Sequence, residues 1–203
     1  MTSAHVETAG DVEQRLRRSQ ALLSGHFQLT SGRHSDRYVQ CALLLAQPRE
    51  AEAVGRALAE KLAAVCESTA GGPPELVVGP ALGGVIVAHE VARALGTPSY
   101  FTERKEGVME LRRGFGIRPG VRAVVVEDVV TTGGSVQEVV ALVRKAGGQV
   151  AAVGSIVHRA KSSPFDVPYE ALLQLVIESW EPASCPLCKQ GSAAIKPGSR
   201  PGA

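Results

Sequence analysis

An α/β fold, with a doubly wound, mostly parallel five-stranded sheet flanked by helices, is the architecture this sequence predicts. Three observations lead there. Short aliphatic runs recur with helical periodicity between them, at the spacing of βαβ units. The run Val124-Val125-Val126 is too short for a helix and too apolar for a surface strand, which suits a central strand covered on both faces. Glycine-rich turns at 79–84 and 131–135 each follow such a run and lead into a helical pattern.

Taken in order, residues 11–24 read as an amphipathic helix, with Asp11 as its N-cap, Val12, Leu16, Leu22 and Leu23 near one face, and Gly25 closing it. Residues 27–35 (FQLTSGRHS) combine a short alternation with a turn rich in Ser, Gly and basic residues, and 37–41 read as a strand. Pro48 suits the first position of a second helix running to about Cys66, with Ala51, Val54, Leu58, Leu62 and Val65 inward. After a loop at 67–74, strands are predicted at 76–78, 99–103, 124–126, 150–157 and 172–177. Helices are predicted at 85–95, closed by Gly96, and at 136–146, closed by Gly147 and Gly148. Residues 1–178 therefore read as one domain. Residues 179–203, rich in Pro, Gly and Ser, read as a C-terminal tail that lies on the surface or frays.

The bulk numbers narrow the function classes. With 203 residues, 44% hydrophobic and 21% charged, the chain has the material for one good-sized core. A net charge of +2 with no concentrated basic run offers no nucleic-acid surface. No apolar run approaches the ~20 residues of a membrane span, and the N-terminal MTSAHVETAGD lacks the regions of a signal peptide. A cytoplasmic protein is expected. Cys41, Cys66, Cys185 and Cys188 make no disulfide framework in a chain this size. Cys185 and Cys188 form one C-x-x-C, which reads either as two incidental thiols in a tight turn or as half a zinc site. The other half would then come from elsewhere, such as a second subunit. His5, His26, His34, His89 and His158 show no ligand spacing and read as surface or packing residues.

The chemistry concentrates in VVVEDVVTTGGS, 124–135. A buried strand delivers Glu127 and Asp128. Val129 and Val130 follow, then Thr131, Thr132, Gly133, Gly134 and Ser135 open a helix. Amides at a helix start attract an anionic phosphate, glycines let the backbone approach it, and hydroxyls add donors without bulk. The acids cannot hold a phosphate, so they face sugar hydroxyls or a metal-bound water. No Lys follows the glycines, which excludes a Walker loop, and no G-x-G-x-x-G is present. The bland alternative is a strand-to-helix turn with a hydroxyl cap. The second loop, 79–84, exposes backbone amides in the same way and suits a pyrophosphate. Between 104 and 113, RKEGVMELRR reads either as a solvated hairpin with salt bridges or as a mobile lid that brings cations to phosphate oxygens.

The 124–135 segment resembles the phosphoribosyl-pyrophosphate (PRPP) motif of type I phosphoribosyltransferases, and the resemblance covers roughly residues 10–178. It implies that family's fold with a small N-terminal hood within about residues 1–45, Mg²⁺ held mainly through PRPP and water with no direct protein ligand, and a homodimer with shared active sites. It further implies PRPP binding by 127–135 and by the loop containing Ala81, Leu82 and Gly83, with Ala81–Leu82 as a non-proline cis peptide. Arg104 and Lys105 match the Arg-Lys start of the family's lid, and with Glu127 and Asp128 they form the implied catalytic set. The segment Phe27-x-Leu29-x-Ser31-Gly32-Arg33-x-Ser35 is similar to the hood of orotate phosphoribosyltransferases, and Arg159 matches the arginine that meets the orotate ring. Thr131, Arg159, Ser31, Gly32 and Arg33 are thus the implied orotate contacts, and His34 is a further candidate in the hood. Family members commonly carry Lys where this chain has Thr30 and Gly83. The lid also lacks a further Lys and His, so Arg112 or Arg113 is expected to replace some of that charge. The reaction implied is Mg²⁺-dependent transfer of ribose 5-phosphate from PRPP to orotate. Transfer to a purine base and non-catalytic PRPP sensing are the alternatives.

Overall fold

The computed structural model describes residues 7–29 and 31–197. His5, Thr30 and the end of the predicted tail lie outside them. Helix α1 (Ala9–Arg18) begins with a capping box between Thr8 and Asp11, so Asp11 is the third helical residue rather than the cap. It stops earlier than its periodicity predicts. Gln20 turns to φ 57°, and Leu22 and Leu23 enter strand β1 (Leu22–Gln28) to pair with Val39 and Tyr38 of β2 (His34–Val39). Pairing buries Leu22 and Val39 together, which a helix continuing past Arg18 would not do. A short α2 (Cys41–Leu45), unforeseen in the sequence, leads into α3 (Pro48–Ala70), which carries its proline in the first turn.

The α/β core follows as β3 (Leu76–Pro80), α4 (Gly83–Leu95), β4 (Ser99–Lys105), β5 (Val108–Leu111), β6 (Arg122–Val130), α5 (Gly134–Lys145), β7 (Gln149–His158) and β8 (Tyr169–Gln174). The sheet has six strands, in the order β5-β4-β3-β6-β7-β8. The five predicted strands are its parallel members. The sixth, β5, is an antiparallel edge that returns from β4 through a two-residue turn with Glu106 and Gly107 at φ 51° and 84°.

Alternation along β6 explains why both faces are covered. Val124 and Val126 pack with α3 and α4, whereas Ala123 and Val125 pack with α5. Val124, Val125 and Val126 are fully buried, which contributes about 1.5–3 kcal/mol per side chain. No helix among the described residues is long and apolar enough to cross a membrane.

The chain after β8 is not a loose tail over its described part. His34 and Trp180 exchange backbone hydrogen bonds along the edge of β2, while Ile195 bonds to Gln28 and His26 along the edge of β1. A 3₁₀ turn (Pro182–Ser184) and α6 (Pro186–Lys189) span between these two strips. Composition allowed a surface path or fraying, and the described part keeps to the surface, where the unpaired edges of the hairpin offer it a row of backbone partners.

Candidate active site

The site forms where the sheet splits. β3 pairs with β6 only as far as Val78 and Val125, after which β3 stays with β4 while β6 continues beside β7 to Val130 and His158. Strand order also reverses between β3 and β6, so a crevice opens at the carboxyl edge of a topological switch point. Glu127 and Asp128 stand on β6 inside that crevice, and the loop after β3 forms its opposite wall.

Contact between the two walls is close. A Cβ on Gly83 would lie 2.6 Å from the Asp128 carboxyl carbon, so only glycine admits Asp128 at this approach. The lysine expected at this position would carry such a Cβ. The Asp128 Oδ1 accepts from the Val129 N–H at 2.8 Å, and Glu127 Oε1 accepts from the Asp128 N–H at 3.1 Å. Burial and the neighbouring Asp128 charge push the Glu127 carboxyl up to about 8, with the N–H groups of Asp128 and Gly84 opposing them. A cation, or a set of hydroxyl donors, between these acids would relieve that repulsion. The Ala81–Leu82 peptide is cis, and the Leu82 side chain is 88% exposed.

Beyond the acids, Glu127, Val129, Val130, Thr131, Gly133, Gly134, Ser135 and Val136 line a small cavity of about 60 Å³. Gly133 caps α5 at φ 79° and supplies no side-chain acceptor, which leaves the first-turn amides available to an anion. Its missing side chain also matters for packing, because a Cβ would come within 2.7 Å of Pro164. Thr131, Thr132 and Ser135 are exposed around this cradle. Larger hollows of about 380 Å³ beside α5 lack both paired acids and a glycine loop.

Arg159 approaches from the third side. Its N–H donates to the Val130 carbonyl at 2.8 Å, placing it directly after β7 and next to the end of β6. Its Nε is buried and has no hydrogen-bond partner among the described residues. Desolvation lowers its pKa, partly offset by Tyr38 of the hood. A part-buried guanidinium without a carboxylate partner favours an anionic ligand. Tyr38 and Cys41 were missed in the sequence. Cys41 lies beneath the acids, with its Sγ 3.9 Å from the Asp128 carbonyl oxygen, and burial together with both carboxylates pushes its thiol pKa up. Neither belongs to a motif, so only the fold reveals them.

The chain matches the model of the phosphoribosyl transferase domain over residues 43–183. It is 55% identical to the orotate phosphoribosyltransferase of Heliobacterium modesticaldum over 185 residues, 91% of this chain and 94% of that one. It is 51% identical to the orotate phosphoribosyltransferase of Thermotoga petrophila, across 93% and 98% of the two chains.

The chain belongs to the phosphoribosyl transferase family.

Among solved structures, the orotate phosphoribosyltransferase of Mycobacterium tuberculosis in complex with inorganic phosphate superposes with TM-score 0.63 at 28% identity, covering 82% of this chain and 95% of that one. The enzyme of Aeropyrum pernix shares the fold, with TM-score 0.66 at 24% identity, over 81% and 93% of the chains.

Against the pattern of this phosphoribosyl transferase family, the remaining implied residues fall into two groups. Arg104 and Lys105 lie in the β4–β5 hairpin, where Arg104 forms a forked pair with Glu138 of α5 at 2.6 and 2.9 Å and Lys105 is exposed. Arg113 pairs with Glu103 at 2.7 Å, and Arg112 is 3.9 Å from the same carboxylate. In this structure the segment is a salt-bridged hairpin. In the hood, Ser31 is exposed at the turn and Gly32 adopts φ 81°. Arg33 binds Ser179 and Glu181, and Ser35 donates to the Glu178 carbonyl, so these two side chains hold the segment after β8.

Proposed function

We propose that this chain catalyses Mg²⁺-dependent transfer of ribose 5-phosphate from PRPP to a ring nitrogen of orotate, releasing orotidine 5′-monophosphate and pyrophosphate. Its place is pyrimidine biosynthesis in the cytoplasm. The observation that carries the reading is the crevice itself: paired acids lie between two glycine loops at the opened β3/β6 edge, with Arg159, whose Nε has no hydrogen-bond partner among the described residues, beside the end of the strand that carries them.

The roles follow from charge. Amides and hydroxyls of 131–135 take the 5-phosphate, and the loop at 81–83 takes the pyrophosphate. Glu127 and Asp128 accept from the ribose hydroxyls and stabilise the positive charge that builds on the ribose as pyrophosphate leaves. No protein nucleophile is required, so positioning and electrostatics supply the rate. Arg159 orients the base through its carboxylate, and Thr131 and the hood turn Ser31-Gly32-Arg33 border the same pocket. The acid pair fits a nearby cation, because Glu127 holds its proton anomalously well in the cation's absence. When bound beside Glu127 and Asp128, Mg²⁺ would supply neutralisation of the pyrophosphate charge.

Arg104, by exchanging Glu138 for a phosphate, and Lys105 complete the pyrophosphate site, within a homodimer in which each hairpin serves the neighbouring subunit. A turnover assay with orotate, PRPP and Mg²⁺ tests the proposal. Expected are equimolar orotidine 5′-monophosphate and pyrophosphate. PRPP binding without product, or turnover with a purine base in preference to orotate, would replace it with one of the alternatives.

A further inference from the structure

His26 and His34 of the hood hairpin and Cys185 and Cys188 of the C-terminal segment place one ligand atom each within 4.8 Å of all the others. Three of the four residues are buried, and Cys188 is exposed at the rim. His26 Nε2 lies 2.9 Å from His34 Nδ1, 3.5 Å from Cys185 Sγ and 3.8 Å from Cys188 Sγ, while Cys188 Sγ lies 3.3 Å from His34 Nδ1.

Hydrogen bonding alone does not account for this cluster. His26 Nδ1 is 2.9 Å from the Ser192 carbonyl, which only accepts, so Nδ1 carries the proton. The neutral ring then offers a single lone pair on Nε2, and three polar groups crowd around it. One lone pair satisfies one donor. A tetrahedral Zn²⁺, with Zn–N of about 2.0–2.1 Å and Zn–S of about 2.3 Å, spaces its ligands by about 3.3–3.8 Å, a range that holds the three separations to sulfur given above, while the 2.9 Å between the two imidazole nitrogens would widen on binding. The Ser192 carbonyl is also the partner a metal-bound histidine requires, since it fixes the tautomer that aims Nε2 inward.

We propose that this chain holds one structural Zn²⁺ through His26 Nε2, His34 Nδ1, Cys185 Sγ and Cys188 Sγ. Two nitrogens and two thiolates in tetrahedral array select zinc over hard cations such as Mg²⁺. Four protein ligands leave no open position, so the ion does no catalysis. Binding converts two thiols to thiolates, releases two protons and leaves both imidazoles neutral. The metal clamps the segment after β8 across the hood hairpin at the point midway between its two backbone strips, at Trp180 and Ile195. All four ligands come from one chain, so the second half of the C-x-x-C site needs no second subunit.

The full chain, purified under reducing conditions and equilibrated with Zn²⁺, tests this by metal analysis. A Co²⁺-exchanged sample tests the ligand set by its absorption spectrum. Expected are about one Zn²⁺ per chain, tetrahedral cobalt bands and thiolate-to-cobalt charge transfer. Cys188→Ser, at the exposed ligand, should abolish stoichiometric zinc and lower the melting temperature to that of chelator-stripped wild-type protein. Cys66→Ser should retain the metal. Substoichiometric zinc in the equilibrated wild type, full zinc retention by Cys188→Ser, or cobalt spectra without thiolate bands would each overturn the proposal.

Discussion

The crevice at the β3/β6 edge and the hood are organised by opposite means. Glu127 and Asp128 are carried on a central strand with fully buried valines just before them. The acids are positioned by a sheet that is rigid without them. The hood hairpin has only two strands, and such a ribbon is marginal alone, although Leu22 and Val39 pack into the core. It is fixed instead from outside, by Arg33 and Ser35 reaching residues 178–181, by backbone strips on both edges, and by the His/Cys cluster between them. A site whose order is inherited from the core tolerates buried charge. One assembled at the rim needs specific polar links to exist at all.

Breaking the first region should cost chemistry and leave the fold. Asp128→Asn is expected to lower kcat by about 10²–10³ with an unchanged circular-dichroism spectrum; a rate within a few-fold of wild type would remove Asp128 from the mechanism. Gly83→Ala puts a Cβ against the Asp128 carboxylate, and displacing that group should lower kcat/KM for PRPP about 10²-fold, measured by initial rates. Arg159→Ala should raise KM for orotate ~10–100-fold, the worth of one charged hydrogen bond, with a smaller change in KM for PRPP.

Glu127 gives the same comparison a pH axis. Its folded value of about 8 lies above the ordinary 4.5, so the folded protein holds the proton more tightly than the unfolded chain. That contribution to stability is complete below the unfolded value and is lost as pH rises through the folded one. The melting temperature of the ligand-free protein should therefore fall across this window, and Glu127→Gln should flatten the fall. The kcat/KM for PRPP should rise over the same interval, because the ionised acid is the form that accepts from hydroxyls.

Breaking the second region should cost order more than chemistry. Arg33→Ala removes the links to Ser179 and Glu181, and about 1 kcal/mol lost would lower the melting temperature by about 2–4 °C, with a far smaller fall in kcat than Asp128→Asn gives. The smallest effect is expected of Arg113→Ala. Its pair with Glu103 is exposed, and exposed pairs add little, so calorimetry should find the melting temperature unaltered.

How far the sequence was legible follows the same division. The segment 124–135 announced strand, acids and anion cradle because all its chemistry lies within one local run, where periodicity and turn composition speak directly. The helix expected over residues 11–24 failed where a tertiary partner intervened, since Leu22 and Leu23 pair with a strand that periodicity does not see. The edge strand β5 was left open by a charged composition that suited either a hairpin or a mobile lid. His26 and His34 gave no local signal, because their partners in the fold are some 150 residues further along the chain.

By itself, then, the sequence determined the βαβ alternation, the buried valine strand and the placing of two acids ahead of a hydroxyl-rich helix start. These depend on side-chain period and backbone preference over a few residues. Only the tertiary structure decided that Gly83 seats against Asp128, that the Arg159 Nε has no hydrogen-bond partner among the described residues, and that two histidines meet two cysteines. Such contacts depend on where distant segments are brought together, and hydrophobic burial and strand pairing fix that only when the whole chain folds.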